Sequence, residues 1–189
     1  MKDVIKIFTL AIVTCSALLA EPATSEAISA NPSLSFLEKE TKSAPLDLEG
    51  EDMRSYDWDR PAGEGKQFKG ANLKKALFMG KKMSRIQFEG VSFEGADFEG
   101  ADLSKVSFSN CRLNGVNFKR AKLRFGGFRN SDLSNVNFEK ADLESIGFTH
   151  VKMNGALFDG ATLFRVSLVD VDKKGVSFKK AEVRQSSGF

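Results

Sequence analysis

The sequence predicts an all-β solenoid, a chain of short extended segments stacked coil upon coil. From Lys66 to Gln185 it repeats every five residues without insertion or deletion, giving 24 units in 120 residues. The central residue of the unit is apolar in 23 of them, and the residue two before it is Ala, Val, Ile or Cys in 20. A period this short and strict means that each unit buries its apolar side only against its neighbours. A second period lies on the first: every tenth residue from Phe68 to Phe178 is Phe except Leu168, 11 of 12 positions.

From the N-terminus, Lys2 and Lys6 precede an apolar run from Ile7 to Ala20, the length of a signal-peptide core and short for a bilayer span. Residues 1–20 are read as a signal peptide, cleaved after Ala20, or after Ala27 at the small-x-small run Ser25-Glu26-Ala27. The alternative is an apolar segment that stays on the protein and packs on the rod. Cys15 follows Ile12-Val13-Thr14, a poor lipoprotein box because Thr precedes the Cys. Residues 21–65 form a non-repetitive leader that holds every Pro of the chain, with a short helix expected to start near Pro32 and end by Lys42. A solenoid needs its open end covered, because exposed strand edges pair with other chains. The leader is the expected N-terminal cap, with Tyr56 and Trp58, the only Tyr and Trp, as lids over the first coil. Residues 66–185 are the repeat itself, and 186–189 a C-terminal tail.

In an extended unit the centre and the residue two before it share the inward face, while the residues flanking the centre point outward. The flanking positions are mostly Asp, Asn, Ser, Lys, Glu and Gly. A corner must follow each unit, and Gly fills the last position in 9 of 24. An even number of sides places the alternating Phe and Leu layers in continuous columns; four sides put Phe on two opposite walls and Leu on the other two.

Units such as Ala71-Asn72-Leu73-Lys74-Lys75, Ala96-Asp97-Phe98-Glu99-Gly100 and Ala141-Asp142-Leu143-Glu144-Ser145 resemble the A(D/N)LxX signature of the pentapeptide-repeat family. The resemblance covers about two-thirds of the chain. It implies a right-handed quadrilateral parallel β-helix of about six coils, roughly 29 Å long at ~4.8 Å per coil, with a short N-terminal capping segment. It also implies dimerisation through the C-terminal coil, here Phe178 and Val183 with Phe189 beyond them. In type the chain is most similar to exported members of the periplasm and thylakoid lumen, many of which have no assigned biochemical role.

The net charge of +3 hides a division. Residues 66–189 carry 22 basic and 13 acidic residues, and residues 21–65 carry 4 basic and 11 acidic. The leader therefore either folds against the repeats electrostatically or is a solvated acidic linker. Assigned to four walls, the charges mix on every charged wall, with Lys66 and Lys81 tending inward; a nucleic-acid footprint needs clustered cations with aromatics, so nucleic acid is not the expected partner. Outward apolar residues point to a protein instead. Phe125 and Phe164 fall on one Leu wall two coils apart, beside Arg124 and Arg165, the composition of an interface centre. Leu77, Met79 and Leu157 fall on a Phe wall, with Leu157 four coils from the other two.

Little in the sequence reads as chemistry. His150 lies at a solvent-facing corner with no second His or Cys beside it. Asp97, Asp102, Asp132, Asp142 and Asp172 recur at one outward position of the repeat rather than converging on a pocket. Cys111 takes a small inward position and reads as core, and after signal removal it is the sole cysteine. The chain is read as a non-enzyme without cofactor or metal, with no transmembrane span once the signal is removed, acting outside the cytoplasm as a rigid scaffold for a protein partner. Members of the family's quinolone-resistance group are thought to mimic DNA and bind DNA gyrase, which needs an acidic surface and a cytoplasmic home; a third reading is an effector delivered into a host cell. For the untagged protein taken from its own cells, the intact mass of the extracytoplasmic fraction is expected to lack residues 1–20 or 1–27. Full-length protein confined to the cytosol would overturn the signal peptide.

Overall fold

The computed structural model describes residues 47–55 and 66–189; the signal sequence with Cys15, the helix expected near Pro32, and Tyr56 and Trp58 lie outside them. The first and third residues of nearly every unit are buried and the other three face outward, as alternation along an extended segment requires. Each unit pairs in parallel with the one twenty residues on: Phe88 with Phe108, Leu103 with Leu123, Asn72 with Ser92, Leu77 with Asp97. Five-residue sides and a twenty-residue period make four walls, taken here in chain order from Lys66. Phe68, Phe88, Phe108, Phe128 and Phe148 line the first wall, and Phe78, Phe98, Phe118, Phe138 and Phe158 the opposite, third wall. Leu and Met fill most of the second and fourth.

The walls are not equivalent. The first holds a six-stranded parallel sheet and the fourth a five-stranded one, while the second and third are joined through isolated bridges. The corners explain the difference. After the second and third walls the next unit's first N–H donates back to the central carbonyl, Ala96 to Phe93 at 2.8 Å and Ala101 to Phe98 at 3.0 Å. That bond closes a tight turn with positive φ at its third residue. In the same walls the Asp or Asn of the unit accepts the N–H two residues on, as Asp97 does from Glu99 (2.9 Å) and Asn137 from Glu139 (2.8 Å). The corners after the first and fourth walls have no such closing bond among the described residues, and the chain there stays extended long enough to form strands.

Every unit turns at its fifth residue, and that residue has positive φ in all 24 units. Nine are the glycines visible in the sequence; the other 15 are side-chain-bearing residues, Phe125 (φ 55) among them. A left-handed conformation costs an ordinary residue roughly 1–2 kcal/mol, so the core must outweigh it. Within each Phe column the rings stack face to face, Phe78 on Phe98 at 4.3 Å and Phe118 on Phe138 at 5.1 Å. Between columns they meet edge to face, Phe108 against Phe118 at 6.1 Å and 72°. The ring quadrupole favours the edge-to-face contacts, while the near-parallel stacks gain mainly from burial and dispersion. Ser131 takes a small inward position and is buried, its hydroxyl donating to the Arg129 carbonyl (2.8 Å) and accepting the Cys111 N–H (3.1 Å).

The stack extends past both ends of the regular run. Asp47 bridges Asn72 and Asp52 bridges Leu77, so Leu48 and Met53 lie buried over the start of the second and third walls. Asp47-Leu48-Glu49-Gly50 thus follows the repeat pattern, with Gly50 at φ 73 like the other corners. Its offset of 25 residues rather than twenty hides it from the periodic reading that starts at Lys66. This described part of the acidic leader covers the first coil, and Glu49 lies 3.6 Å from the Lys75 ammonium. At the other end Ser187 bridges Ser167, and Phe189 packs edge-on against Phe178 at 5.4 Å.

The glycines fall into two kinds that mutation can separate. Gly100 has φ 66 with nothing within 4 Å of an added Cβ, whereas a Cβ on Gly126 would lie 2.0 Å from the Val106 carbonyl oxygen. Gly100→Ala is expected to cost about 1 kcal/mol, the left-handed penalty alone. Gly126→Ala is expected to cost about 3 kcal/mol because two backbones must part. Urea unfolding of both variants checks this; equal losses would show that close approach at Gly126 is unimportant.

Candidate functional site

The sequence-predicted residues form three groups, of which the structure describes two. The first surrounds Phe125 on the edge between the fourth wall and the first. Phe125 is a corner residue 58% exposed, the most open of the large apolar side chains among the described residues. Phe164 lies in the strand Thr162–Phe164, half-buried, with the Arg165 guanidinium 4.8 Å above its ring. The two rings are not neighbours: Arg124 pairs in the ladder with Glu144, and Glu144 with Phe164. Arg124 is also committed inside the wall. Its Nη2 reaches Asp142 Oδ2 at 3.0 Å and its Nε lies 3.5 Å from Glu144 Oε2. The Asp142 carboxylate beside it raises the Arg124 pKa further above its ordinary value. Arg165 Nε donates to Gln185 Oε1 (3.1 Å) but forms no ion pair among the described residues, so Phe125, the exposed side of Phe164 and Arg165 remain the open part of the expected face.

The second group is the last coil. Val183 is 43% and Phe189 45% exposed, and Phe178 is half-buried beneath Phe189. Lys173 replaces the inward apolar residue of its unit and turns to the Gly188 carbonyl. The third group was expected as the N-terminal cap, and Tyr56 and Trp58 fall outside the described residues. Of the scattered outward apolar residues, Met79 and Leu157 are exposed and Leu77 half-buried on the third wall.

The carboxylates, the histidine and the cysteine singled out in the sequence have structural partners. Asp97 also accepts a hydrogen bond from Asn117 (3.0 Å), Asp102 from Ser104 (2.7 Å), and Asp172 from Asn154 (2.7 Å). Burial raises the Asp132 pKa, but the Ser134 hydroxyl and N–H and the Asn114 amide outweigh it and hold the carboxyl below its usual range. His150 forms an exposed 3.0 Å pair with Asp170. Cys111 is 2% exposed, and burial pushes its thiol up to about 11, which keeps it protonated and unreactive. Among the described residues no three His, Cys, Asp or Glu side chains are grouped to hold a metal ion, and no helix is long and apolar enough to cross a membrane.

What the sequence reading missed is a band along the edge beside Phe125. The corner column between the fourth and first walls is Arg85, Lys105, Phe125, Ser145, Arg165 and Gln185, the one corner column with neither glycine nor acid. Counting charges wall by wall divided this edge between two faces and concealed it. Grouping the fifth residue of every fourth unit would have found it.

Four walls, a corner at every fifth residue and Asp or Asn caps define a pentapeptide-repeat solenoid. Residues 81–158 match the model of the Pentapeptide repeat region. Among solved structures it is similar to full-length QnrB1, a plasmid-mediated fluoroquinolone resistance protein, at 21% identity over 76% of this chain and 84% of that one, with a TM-score of 0.45. It is also similar to Rfr23, a pentapeptide repeat protein from the cyanobacterium Cyanothece 51142, at 15% identity over 65% and 91%, TM-score 0.28. A pentapeptide repeat protein from the Arabidopsis thaliana thylakoid lumen shares 23% identity over 70% and 61%, TM-score 0.20. No curated protein matches the sequence.

Proposed function

We propose that this protein is a non-catalytic scaffold, exported from the cytoplasm, whose rigid rod presents the edge around Phe125 to a protein partner. One observation carries the reading: a bulky aromatic ring is held 58% exposed on a left-handed corner, where nothing in the core rewards it. Bulky residues in that conformation are outliers that mark function or strain. Arg165 and Phe164 continue the same surface, and aromatic–arginine clusters dominate interface energetics. The N-terminal sequence supports export, and a core filled by stacked Phe supports binding rather than catalysis. A DNA-mimic reading of the kind associated with gyrase is disfavoured by the 22 basic against 13 acidic residues of the repeat region. Delivery into a host cell is a variant of the same scaffold role.

A second contact lies on the last coil, where Val183 and Phe189 are exposed and Phe178 is half-buried. These residues form a homodimer interface in this reading. On a calibrated column the mature chain is expected to elute as a dimer and its Val183→Asp variant as a monomer; a monomeric wild type would refute the interface.

For the Phe125 edge, chemical cross-linking in the native compartment is expected to capture one specific partner. The Phe125→Ser/Phe164→Ser double variant should lose that band by about tenfold while its melting temperature falls by no more than a few degrees. An undiminished band would rule this edge out.

A further inference from the structure

The unabsorbed feature is the charge of the edge itself. Three columns meet there: the fourth residues of the fourth wall, the corner residues, and the second residues of the first wall. They hold the cations Arg85, Lys105, Arg124, Arg165 and Arg184, with Glu144 as the sole acid. Glu144 is already taken by Arg124. Among the described residues Arg85, Lys105 and Arg165 form no ion pair. Other columns compensate: Lys69 meets Glu89, Lys74 meets Glu94 and Lys119 meets Glu139, each about one coil apart at 3.0–3.1 Å. The edge departs from that rule at Arg85, Lys105 and Arg165, while Arg124 and Arg184 are paired with Asp142, Glu144 and Glu182.

Its shape departs as well. The first-wall column beside Phe125 carries Gly127 and Gly147, in register with each other, between Ser107 and Ser167. The result is a shelf with no side chains, rimmed by Phe125 on one side and the exposed Arg129 on the other. The corner is also one of those without a closing turn hydrogen bond. From Arg85 to Arg165 is four coils, about 19 Å at ~4.8 Å per coil, which an extended peptide covers with about six residues at ~3.3 Å each. Phe125 sits midway, two coils from either end.

Resting on the scaffold reading above, we infer that this edge is the docking line for an extended, carboxylate-rich segment of the partner protein. Its apolar side chain meets Phe125, its backbone lies along the Gly127/Gly147 shelf, and its carboxylates reach Arg85, Lys105 and Arg165. Charge complementarity sets the class: uncompensated guanidinium and ammonium groups select acids, and guanidinium grips a carboxylate with two parallel hydrogen bonds. Single-stranded nucleic acid is the weaker fit, because it needs a row of open rings for successive bases. Here Phe125 and Phe164 stand two coils apart with Arg165 over Phe164, so the rings form no continuous row.

The test is fluorescence anisotropy of the full chain with a fluorescein-labelled peptide of eight Glu and one central Leu. Saturable binding is expected, weakened about tenfold by Arg85→Glu/Lys105→Glu/Arg165→Glu and several-fold by Phe125→Ser. The matched reversal Arg112→Glu/Lys152→Glu/Lys174→Glu on the second wall should change it less than about twofold, with melting temperatures compared to exclude unfolding. Equal losses from the two triple variants, or no saturable binding, would overturn the inference. So would tighter binding of an eight-nucleotide oligothymidylate, or of phosphatidylserine vesicles, with the same dependence on the edge. A partner cross-linked through Phe125 without peptide binding would refute the acidic class and leave the scaffold reading standing; loss of both would refute both.

Discussion

A chain that must turn every five residues has few backbone conformations with which to do it. Here a single left-handed residue closes each side, and it does so 24 times in succession. Everything else follows from accommodating that turn. Glycine takes it without steric cost at nine corners, and the remaining 15 are held there by the stacked core. The Phe columns, with ring centroids 4.3–5.3 Å apart, supply burial in every coil, so the strain is distributed along the rod rather than concentrated at one place.

Two kinds of corner give the four walls different characters. Where the turn closes with its own hydrogen bond the wall is reduced to single bridges, and Asn72, Asp97, Asn117, Asp132 and Asn137 cap it in their units. Where it does not, the chain runs on into strands. In those units the D/N of the repeat signature is a backbone cap, and Asp102, Asp142 and Asp172 at the same position instead meet Ser104, Arg124 and Asn154. The open corners are also where larger side chains replace glycine, and the cationic edge with Phe125 lies on one of them.

The fold was readable because its determinants are periodic: the apolar centre, the small inward residue and the ten-residue Phe spacing each state a geometric fact. Departures from period were less readable. Leu48 and Met53 belong to the stack, but an offset of 25 residues takes them out of step with the twenty-residue repeat. Cys111 was placed correctly as inward, yet the bond from its N–H to the Ser131 hydroxyl depends on which coils adjoin, a relation twenty residues apart. Arg124 looked available beside Phe125; Asp142 and Glu144 of the next coil occupy it, and only the ladder register reveals that. The charged edge escaped notice because corner side chains belong to two faces at once.

The register of these coils sets the unit in which such a rod can grow. Adding twenty residues anywhere inserts one complete floor, with every Phe above Phe and every closed corner above a closed corner. Adding five shifts all that follows by a quarter turn, placing Phe over Leu and bringing strand walls into line with bridge walls. The step of 25 residues between Asp47 and Asn72 adds one such quarter to a full floor, at the entrance of the regular stack. Length changes in the body of the rod are therefore tolerated in whole floors, and odd quarters are confined to its entrance.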